Sequence, residues 1–418
     1  MTEKKERLFR RNFTLLLLGQ TSSLLGNLTL KFALSMYVLE ITGSAAVFAG
    51  LLAAAMIPTI LLSPFGGVLA DRADRRAIMV ILDALSGAAV LAAALLLPLG
   101  NEIPVIGTLL VMLSVLAAFE SPTVQACVPQ MLSEENLLKG NAAVNQVQAA
   151  ASLITPFLGS VVYAAFGLAP VLWGAVVCFF LTALLECFLQ LDSRRPAAGA
   201  PIGTVIREDL SACLRFLCRE QPDILKLLLL AALTSLLMAG TMVVGFPYLV
   251  RTVLGLSAQH YGAAESAMGA AAILGGVCVA LWGQRLRLRR LAAVFSALGA
   301  CLLPCGLVFL LPVSATGRYW VLLVMFCACQ LGCSVFSTCA ISVIQTRTPE
   351  HLMGKVMSFV FTLSMCAQPL GQIVYGALFD CFARSPYWVL LPSGLLLCVI
   401  GAASVSFFAG LERSLPQP

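Results

Sequence analysis

The sequence predicts an all-α membrane protein of twelve transmembrane helices. Three observations predict it: the make-up of the apolar runs, the distribution of Lys and Arg between them, and a repeat near half the chain. Of 418 residues, 60% are hydrophobic and 11% charged, where a soluble domain carries roughly 25% charge. A chain this apolar cannot cover itself with polar surface in water, so lipid is its solvent. In hydrocarbon every backbone N–H and C=O must be paired internally, which leaves helices and closed barrels. The apolar runs are about 20 residues long and rich in Leu, Ala and Val, without strict alternation, which is the helical pattern.

The chain opens Met1-Thr2-Glu3-Lys4-Lys5, and its first apolar run leads into polar Asn27 and Lys31 with no small-residue cleavage site. It reads as a first span and not as a signal peptide. Spans are expected at 12–37, 44–69, 77–98, 104–126, 139–166, 168–190, 224–250, 260–283, 290–311, 318–343, 354–380 and 386–410. An even number places both termini on one side. Of the 26 Lys and Arg, 22 then fall on the side of the termini, and only Arg251, Arg318 and Arg384 on the other, with Lys31 inside a span. Basic loops stay cytoplasmic, so both termini are expected in the cytoplasm. A wrong span count would scramble this alternation.

The longest polar interval, 191–223, separates an N-terminal bundle of six helices (1–190) from a C-terminal one (224–418). Within it, Leu210, Leu214 and Leu217 lie at helical spacing beside Arg207, Arg215 and Arg219, the pattern of a basic amphipathic helix on the membrane face. The halves resemble each other weakly. Pro156-Phe157-Leu158-Gly159 through Tyr163 is echoed by Pro369-Leu370-Gly371 through Tyr375, and Ser133-Glu134-Glu135-Asn136-Leu137 by Thr348-Pro349-Glu350-His351-Leu352. Paired repeats build a site able to face either side of a membrane; a sensor or scaffold has no such need.

Between the second and third spans the chain reads Gly66-Gly67-Val68-Leu69-Ala70-Asp71-Arg72-Ala73-Asp74-Arg75-Arg76. This resembles the cytoplasmic loop of the major facilitator superfamily, G-x-L-A-D-R-x-G-R-R, at nine of ten positions, with Asp74 replacing the second glycine. The glycines permit close helix approach and a tight turn. Asp71 is short and anionic, as a helix N-terminus favours. The resemblance implies a twelve-helix major facilitator fold in which Asp71 caps the eleventh span, expected to start near Gly354. It also implies that Arg75 pairs with an acid on the fourth span, here Glu120. Gly67, Asp71, Arg72, Arg75, Arg76 and Glu120 thus form the expected cytoplasmic latch; the bland alternative is a loop that only obeys the charge rule. The second-half counterpart, Gly283 to Arg290, keeps its arginines but has Gln284 near the place of the aspartate.

A charge inside a span costs about 2.5–3.5 kcal/mol on insertion scales, so each one needs a reason. Gln20, Ser23, Asn27, Lys31 and Ser35 share one face of span one, and such a stripe is expected to line a water-filled cavity. Outward snorkelling or structural pairing of Lys31 is the alternative. The resemblance agrees, since spans one, four, seven and ten line the family's cavity. Helix rise places Lys31 and Glu120 about 15 Å or more apart in depth, with Glu40 and Glu265 at heights closer to the lysine. Gln330, Ser334, Thr338 and Ser342 form a similar stripe on span ten, and Thr234, Ser235, Met238 and Thr241 one on span seven; packing explains such hydroxyls equally well. A cavity built so is mostly apolar and fits a bulky amphipathic solute.

Asp83, near the cytoplasmic end of span three, is expected either to pair structurally or to carry a proton. With Glu120 it is the candidate for proton coupling. Glu186 and Asp380 lie near span ends and are expected to be solvated. The fifteen cysteines are scattered through apolar runs as small hydrophobes; Cys301, Cys305, Cys329 and Cys333 share faces, but packing is preferred to a metal site. Span five carries Thr155-Pro156-Phe157-Leu158-Gly159, which is similar to the family's antiporter pattern G-P-x-x-G apart from Thr155. There Pro156 and Gly159 would soften the helix and let it pack closely on the other half.

Tyr37 to Ser44 and Ser121 to Gln130 resemble the macrolide-efflux and enterobactin-exporter branch. The resemblance implies a proton-driven exporter of hydrophobic or amphipathic compounds in the bacterial inner (cytoplasmic) membrane. A siderophore or lysophospholipid transporter of the same fold is the alternative, and a non-transporting membrane sensor a remote one. No Walker sequence or catalytic constellation occurs, so neither an ATP-driven pump nor an enzyme is expected. The expected partners are a small-molecule substrate, protons and the lipid bilayer, with no nucleic acid, cofactor or metal, in a monomer.

Overall fold

The computed structural model describes residues 9–132, 134–191, 215–282 and 290–413. Among them every regular element is helical. In chain order these are α1 (Arg11–Thr42), α2 (Ala45–Arg72), α3 (Arg75–Leu96), α4 (Glu102–Met131), α5 (Glu134–Phe166) and α6 (Leu168–Glu186). Then follow α7 (Pro222–Val253), α8 (Ala258–Trp282), α9 (Leu291–Leu307), α10 (Ala315–Arg347), α11 (Glu350–Cys381) and α12 (Tyr387–Arg413). Eleven are long and apolar enough to cross a membrane, and α9 is a shorter apolar helix that turn hydrogen bonds from Val308, Phe309 and Leu310 prolong. Most of the basic interval 204–218 and of the loop 283–290 lies outside the described residues.

Several helices outrun their expected ends, because a helix need not stop where hydrocarbon does. The second helix continues through Arg72, so Asp71 lies in its last turn and only Ala73 and Asp74 separate α2 from α3. Asp74 is extended (φ −67°, ψ 108°) and accepts the Arg76 amide at 3.1 Å. A side-chain oxygen at this position satisfies one of the orphan N–H groups of a new helix, which accounts for aspartate where the family pattern has glycine. Helix α7 is wound more loosely over Ala239–Gly245 and Leu249–Val253, where it takes π-helical turns.

Contacts group the described residues into two units. One holds α1 up to Val38 and the chain from Ala54 through α6; the other holds Leu39–Ala53 and the chain from α7 onward. Residues 39–53 fall in the second unit, where Asp380 contacts them. Asp380, near the end of α11, accepts from the Ser44 hydroxyl at 2.5 Å and from the Ala45 and Ala46 amides at 2.7 and 3.0 Å. Ser44 itself accepts the Val47 amide at 3.1 Å. The first turn of α2 is therefore capped twice, once from its own chain and once from α11. Asp380, expected to be solvated, is committed to this cap.

Glycines set the closest helix approaches. In the first unit, a Cβ on Gly66 would collide with the Ala118 carbonyl and lie 3.1 Å from Phe119 Cα, so the glycine just ahead of the loop pattern brings α2 onto the backbone of α4. Gly159 packs on Thr29 and Phe32 of α1; its close contact is thus inside its own unit. Pro156 is buried while α5 runs through it unbroken, and Thr155 returns its hydroxyl to the Ala151 carbonyl. In the second unit, Gly240 receives the Tyr375 ring, Gly371 the Leu236 carbonyl, and Gly299 the backbone of Gly394 and Cys398.

Two outcomes follow from this packing. Gly299→Val drives a branched side chain into the α12 backbone and should cost about 1–3 kcal/mol, read as a lower melting temperature of the detergent-solubilised protein. Gly174→Ala, with open space around its Cβ position, should leave the temperature unchanged. Removing the second cap with Asp380→Ala should cost about 0.5–2 kcal/mol in the same assay, and Asp380→Asn, which keeps an accepting oxygen, should cost less.

Candidate functional site

The first unit contains a cavity of about 500 Å³ bounded by α1, α4 and α5. From α1 come Gln20, Ser23 and Asn27, the inner part of the expected stripe; from α4 come Glu120, Ser121 and Gln125; from α5 come Asn141, Asn145 and Gln148. Among the described residues, Gln20 Nε2 and Asn27 Oδ1 are buried without a hydrogen-bond partner. A buried amide atom left unpaired costs about 1–3 kcal/mol, so these two atoms are free to engage a bound solute or water. The cavity is more polar than the sequence suggested. The α5 amides account for the difference: their 141, 145, 148 spacing puts them on one helix face, a signal visible in the sequence but assigned there to the start of a span.

Lys31 and Ser35 continue the α1 face beyond the lining residues of this cavity. Lys31 is exposed. Of the other carboxylates considered for Lys31, Glu40 takes Arg251 at 3.1 Å, and Glu265 is hydrogen-bonded to Tyr261.

Behind the cavity wall, three helices of the first unit bring carboxyl groups together. Ser23 Oγ on α1 lies 3.3 Å from Asp83 Oδ1 on α3 and 3.5 Å from Glu120 Oε1 on α4. Glu186, at the end of α6, lies beside Gly19 of α1, whose Cβ position would be 3.8 Å from Glu186 Cγ, an ordinary contact. Asp83 is 0% and Glu186 1% exposed, so Glu186 is not the solvated end-of-span residue expected.

Arg75, expected to pair with Glu120, donates to the Ala70 carbonyl and to the Ala126 carbonyl, each at 2.7 Å. It therefore reaches α4 six residues beyond Glu120, about 9 Å along the axis, and ties α2, α3 and α4 together. Arg76 donates to the Cys187 carbonyl just past α6. Gly67, Asp71 and Arg72 belong to α2, but their surroundings, like those of Gly354, lie outside what is described, and so does the Asp71 half of the latch.

The second unit has its own pocket of about 280 Å³, between α7, α10 and α11. Thr234, Ser235 and Met238 line it as expected of span seven. From α10, however, it takes Cys333, Phe336, Ser337 and Ile341, one position away from the expected stripe. Ser334 donates instead to Ala272 of α8 at 2.8 Å, facing Gly275, and Thr338 returns its hydroxyl to the Ser334 carbonyl at 2.8 Å. A hydroxyl in hydrocarbon takes the nearest carbonyl, which is why the period-four pattern was not diagnostic. Gln330 is half-buried on the same face. Cys305 and Cys329 likewise donate to backbone carbonyls, and among the described residues no cluster of His, Cys, Asp or Glu is arranged to hold a metal ion.

This architecture can be set beside known proteins. The Major Facilitator Superfamily model matches residues 16–371. The chain belongs to the Major Facilitator Superfamily. It is thus a membrane transporter and not an enzyme. Macrolide efflux protein A of Streptococcus pyogenes is 25% identical over 390 residues, covering 91% of this chain and 92% of that protein. The multidrug efflux pump Tap of Mycobacterium tuberculosis is 27% identical over 360 residues, covering 82% and 81%. Among solved structures, an inward-facing bacterial homologue of the iron transporter ferroportin superposes with a TM-score of 0.72 at 20% identity, covering 95% of this chain and 99% of that one. The nucleoside transporter NupG does so with 0.68 at 12% identity, covering 97% and 99%. At such identities these structures speak for the facilitator fold alone.

Proposed function

We propose that this transporter exports a hydrophobic or amphipathic compound, of the macrolide or multidrug kind, across the bacterial cytoplasmic membrane in exchange for protons. The observation that carries the reading is the amide-lined cavity of the first unit with Glu120 in its wall. It offers hydrogen-bonding groups and one titratable carboxyl for the polar part of a solute. Glu120 is the group at which solute and proton compete, and Lys31 tunes that competition through its charge. Relatives named for macrolide and multidrug efflux support the direction and the solute class. The 22 basic residues on the side of the termini support cytoplasmic ends, so the Asp71–Arg76 segment works at the cytoplasmic face of a monomer moving by alternating access.

The reading is tested in everted membrane vesicles with an imposed pH gradient. Adding a macrolide or a cationic amphiphile should release protons from the vesicle interior, and Glu120→Gln should lower the rate about tenfold or more, equivalent to ~1.4 kcal/mol or more in the barrier. A flat response across a panel of such compounds overturns it. In the same vesicles Asp71→Asn should cut transport while membrane insertion stays at the wild-type level; undiminished transport would remove Asp71 from the latch.

A further inference from the structure

We propose that the cavity of the first unit selects solutes that carry several hydroxyl groups and are neutral or cationic, that it turns anions away, and that the α5 amides Asn141, Asn145 and Gln148 read the hydroxyls. The place of this selection in transport rests on the export reading above; the binding preference itself stands on the lining of the cavity.

Charge decides the first part. Among the described residues that line the cavity, Glu120 is the one ionisable group, and Lys, Arg and His are absent. Lys31, one turn beyond Asn27 on α1, is not among them. A charge taken out of water is costly unless a partner of opposite sign receives it. A cation entering here meets the Glu120 carboxylate. An anion meets no positive side chain on these walls, whether Glu120 is ionised or protonated. An anionic siderophore, or the phosphate of a lysophospholipid, therefore finds no counter-charge, while a neutral solute or an amine is accepted.

Hydrogen bonding decides the second. The uncharged polar lining is mostly carboxamide: Gln20 and Asn27 from α1, Gln125 from α4, and Asn141, Asn145 and Gln148 from α5. A carboxamide donates through nitrogen and accepts through oxygen, and a hydroxyl does both through one atom. A solute hydroxyl thus pairs with any of these amides, whichever way the amide is turned. A cation without hydroxyls leaves them unpaired. The amides of α1 and α5 form two rows. Gln20 and Asn27 lie two turns apart, and so do Asn141 and Gln148, about 10 Å along each helix axis, which keeps each row on one face. Hydroxyls spread over a similar length satisfy a whole row, and a cavity of about 500 Å³ has room for a solute of that size.

The α1 row lacks partners. Among the described residues Gln20 Nε2 and Asn27 Oδ1 are buried with no hydrogen bond. An amide with a structural task looks different: Asn12 donates to the Gln190 carbonyl at 2.6 Å and accepts the Gln190 N–H at 3.4 Å. A site whose buried polar groups await a partner discriminates strongly against an analogue that lacks it. The α5 row is exposed. Ser152 donates to the backbone carbonyl of Gln148 at 2.9 Å, which engages the main chain there and not the side-chain amide.

The test is equilibrium binding to the full-length protein in lipid nanodiscs, with no gradient and with empty nanodiscs subtracted. Three probes share one steroid skeleton and are used below their micellar concentrations. Cholate carries hydroxyls and a carboxylate; a cholic acid amide ending in a primary amine keeps the hydroxyls and is cationic; the same amine made from cholanic acid has no hydroxyls. The hydroxylated amine should bind about tenfold or more tighter than cholate and than the hydroxyl-free amine, although the latter is the most apolar. Asn145→Ala, Asn141→Ala and Gln148→Ala should each weaken the hydroxylated amine about three- to tenfold and leave the hydroxyl-free amine unchanged, with an unaltered melting temperature as the check on folding. Glu120→Gln should shrink the margin over cholate. No binding of the hydroxylated amine, equal affinity for the two amines, cholate bound as tightly as either, or undiminished affinity in all three α5 variants overturns the proposal. Binding is read without transport, so the preference can stand when the vesicle assay is flat, which sinks the export reading alone. It can also fail while hydroxyl-free cations still drive proton release, which leaves that reading intact.

Discussion

Hydrocarbon offers no hydrogen bonds, and this constraint governs the molecule. It forces the backbone into helices, and it turns each side-chain polar group into a local accounting problem. Thr21, Thr123, Thr234 and Thr241 settle it by donating to the carbonyl four residues back. Ser22 and Ser334 settle it across a helix interface, at Cys178 and Ala272. Helix ends, where backbone N–H groups are orphaned, draw Asp74 and Asp380. Among the buried polar atoms of described residues that have no partner, those of Gln20, Asn27, Asp83 and Glu186 fall in the first unit.

Those exceptions lie close together, on α1 and on the helices packed around it. The α1 helix lines the cavity with Gln20, Ser23 and Asn27, and Ser23 also reaches Asp83 and Glu120. A polar stripe on a membrane helix is costly, so it needs a reason to be kept.

The glycines and caps keep this arrangement in register. Gly66 seats α2 on α4 one turn from Glu120, and Arg75 binds α4 at Ala126. None of these residues touches the cavity, yet each controls where a carboxyl group falls. The loop pattern at 66–76 thus acts as a positioning device within the first unit, in addition to any role at the membrane face.

The sequence by itself determined the solvent, the helices, their number and the family. Apolar length and basic-residue distribution are properties of one dimension, and the 66–76 pattern is contiguous. It also marked Gln20, Ser23 and Asn27, because a four-residue period on one helix defines a face. Only the tertiary structure decided which faces meet. Spacing could not tell that Ser334 bonds to α8 while Ser337 faces the pocket, since a hydroxyl serves either purpose. Nor could helix rise tell that Glu186, taken for a solvated end, is buried, or that Ser23 lies within reach of both Asp83 and Glu120. Those pairings join residues on different helices, and their distances depend on how far each helix runs past the membrane and on which glycines let the helices close.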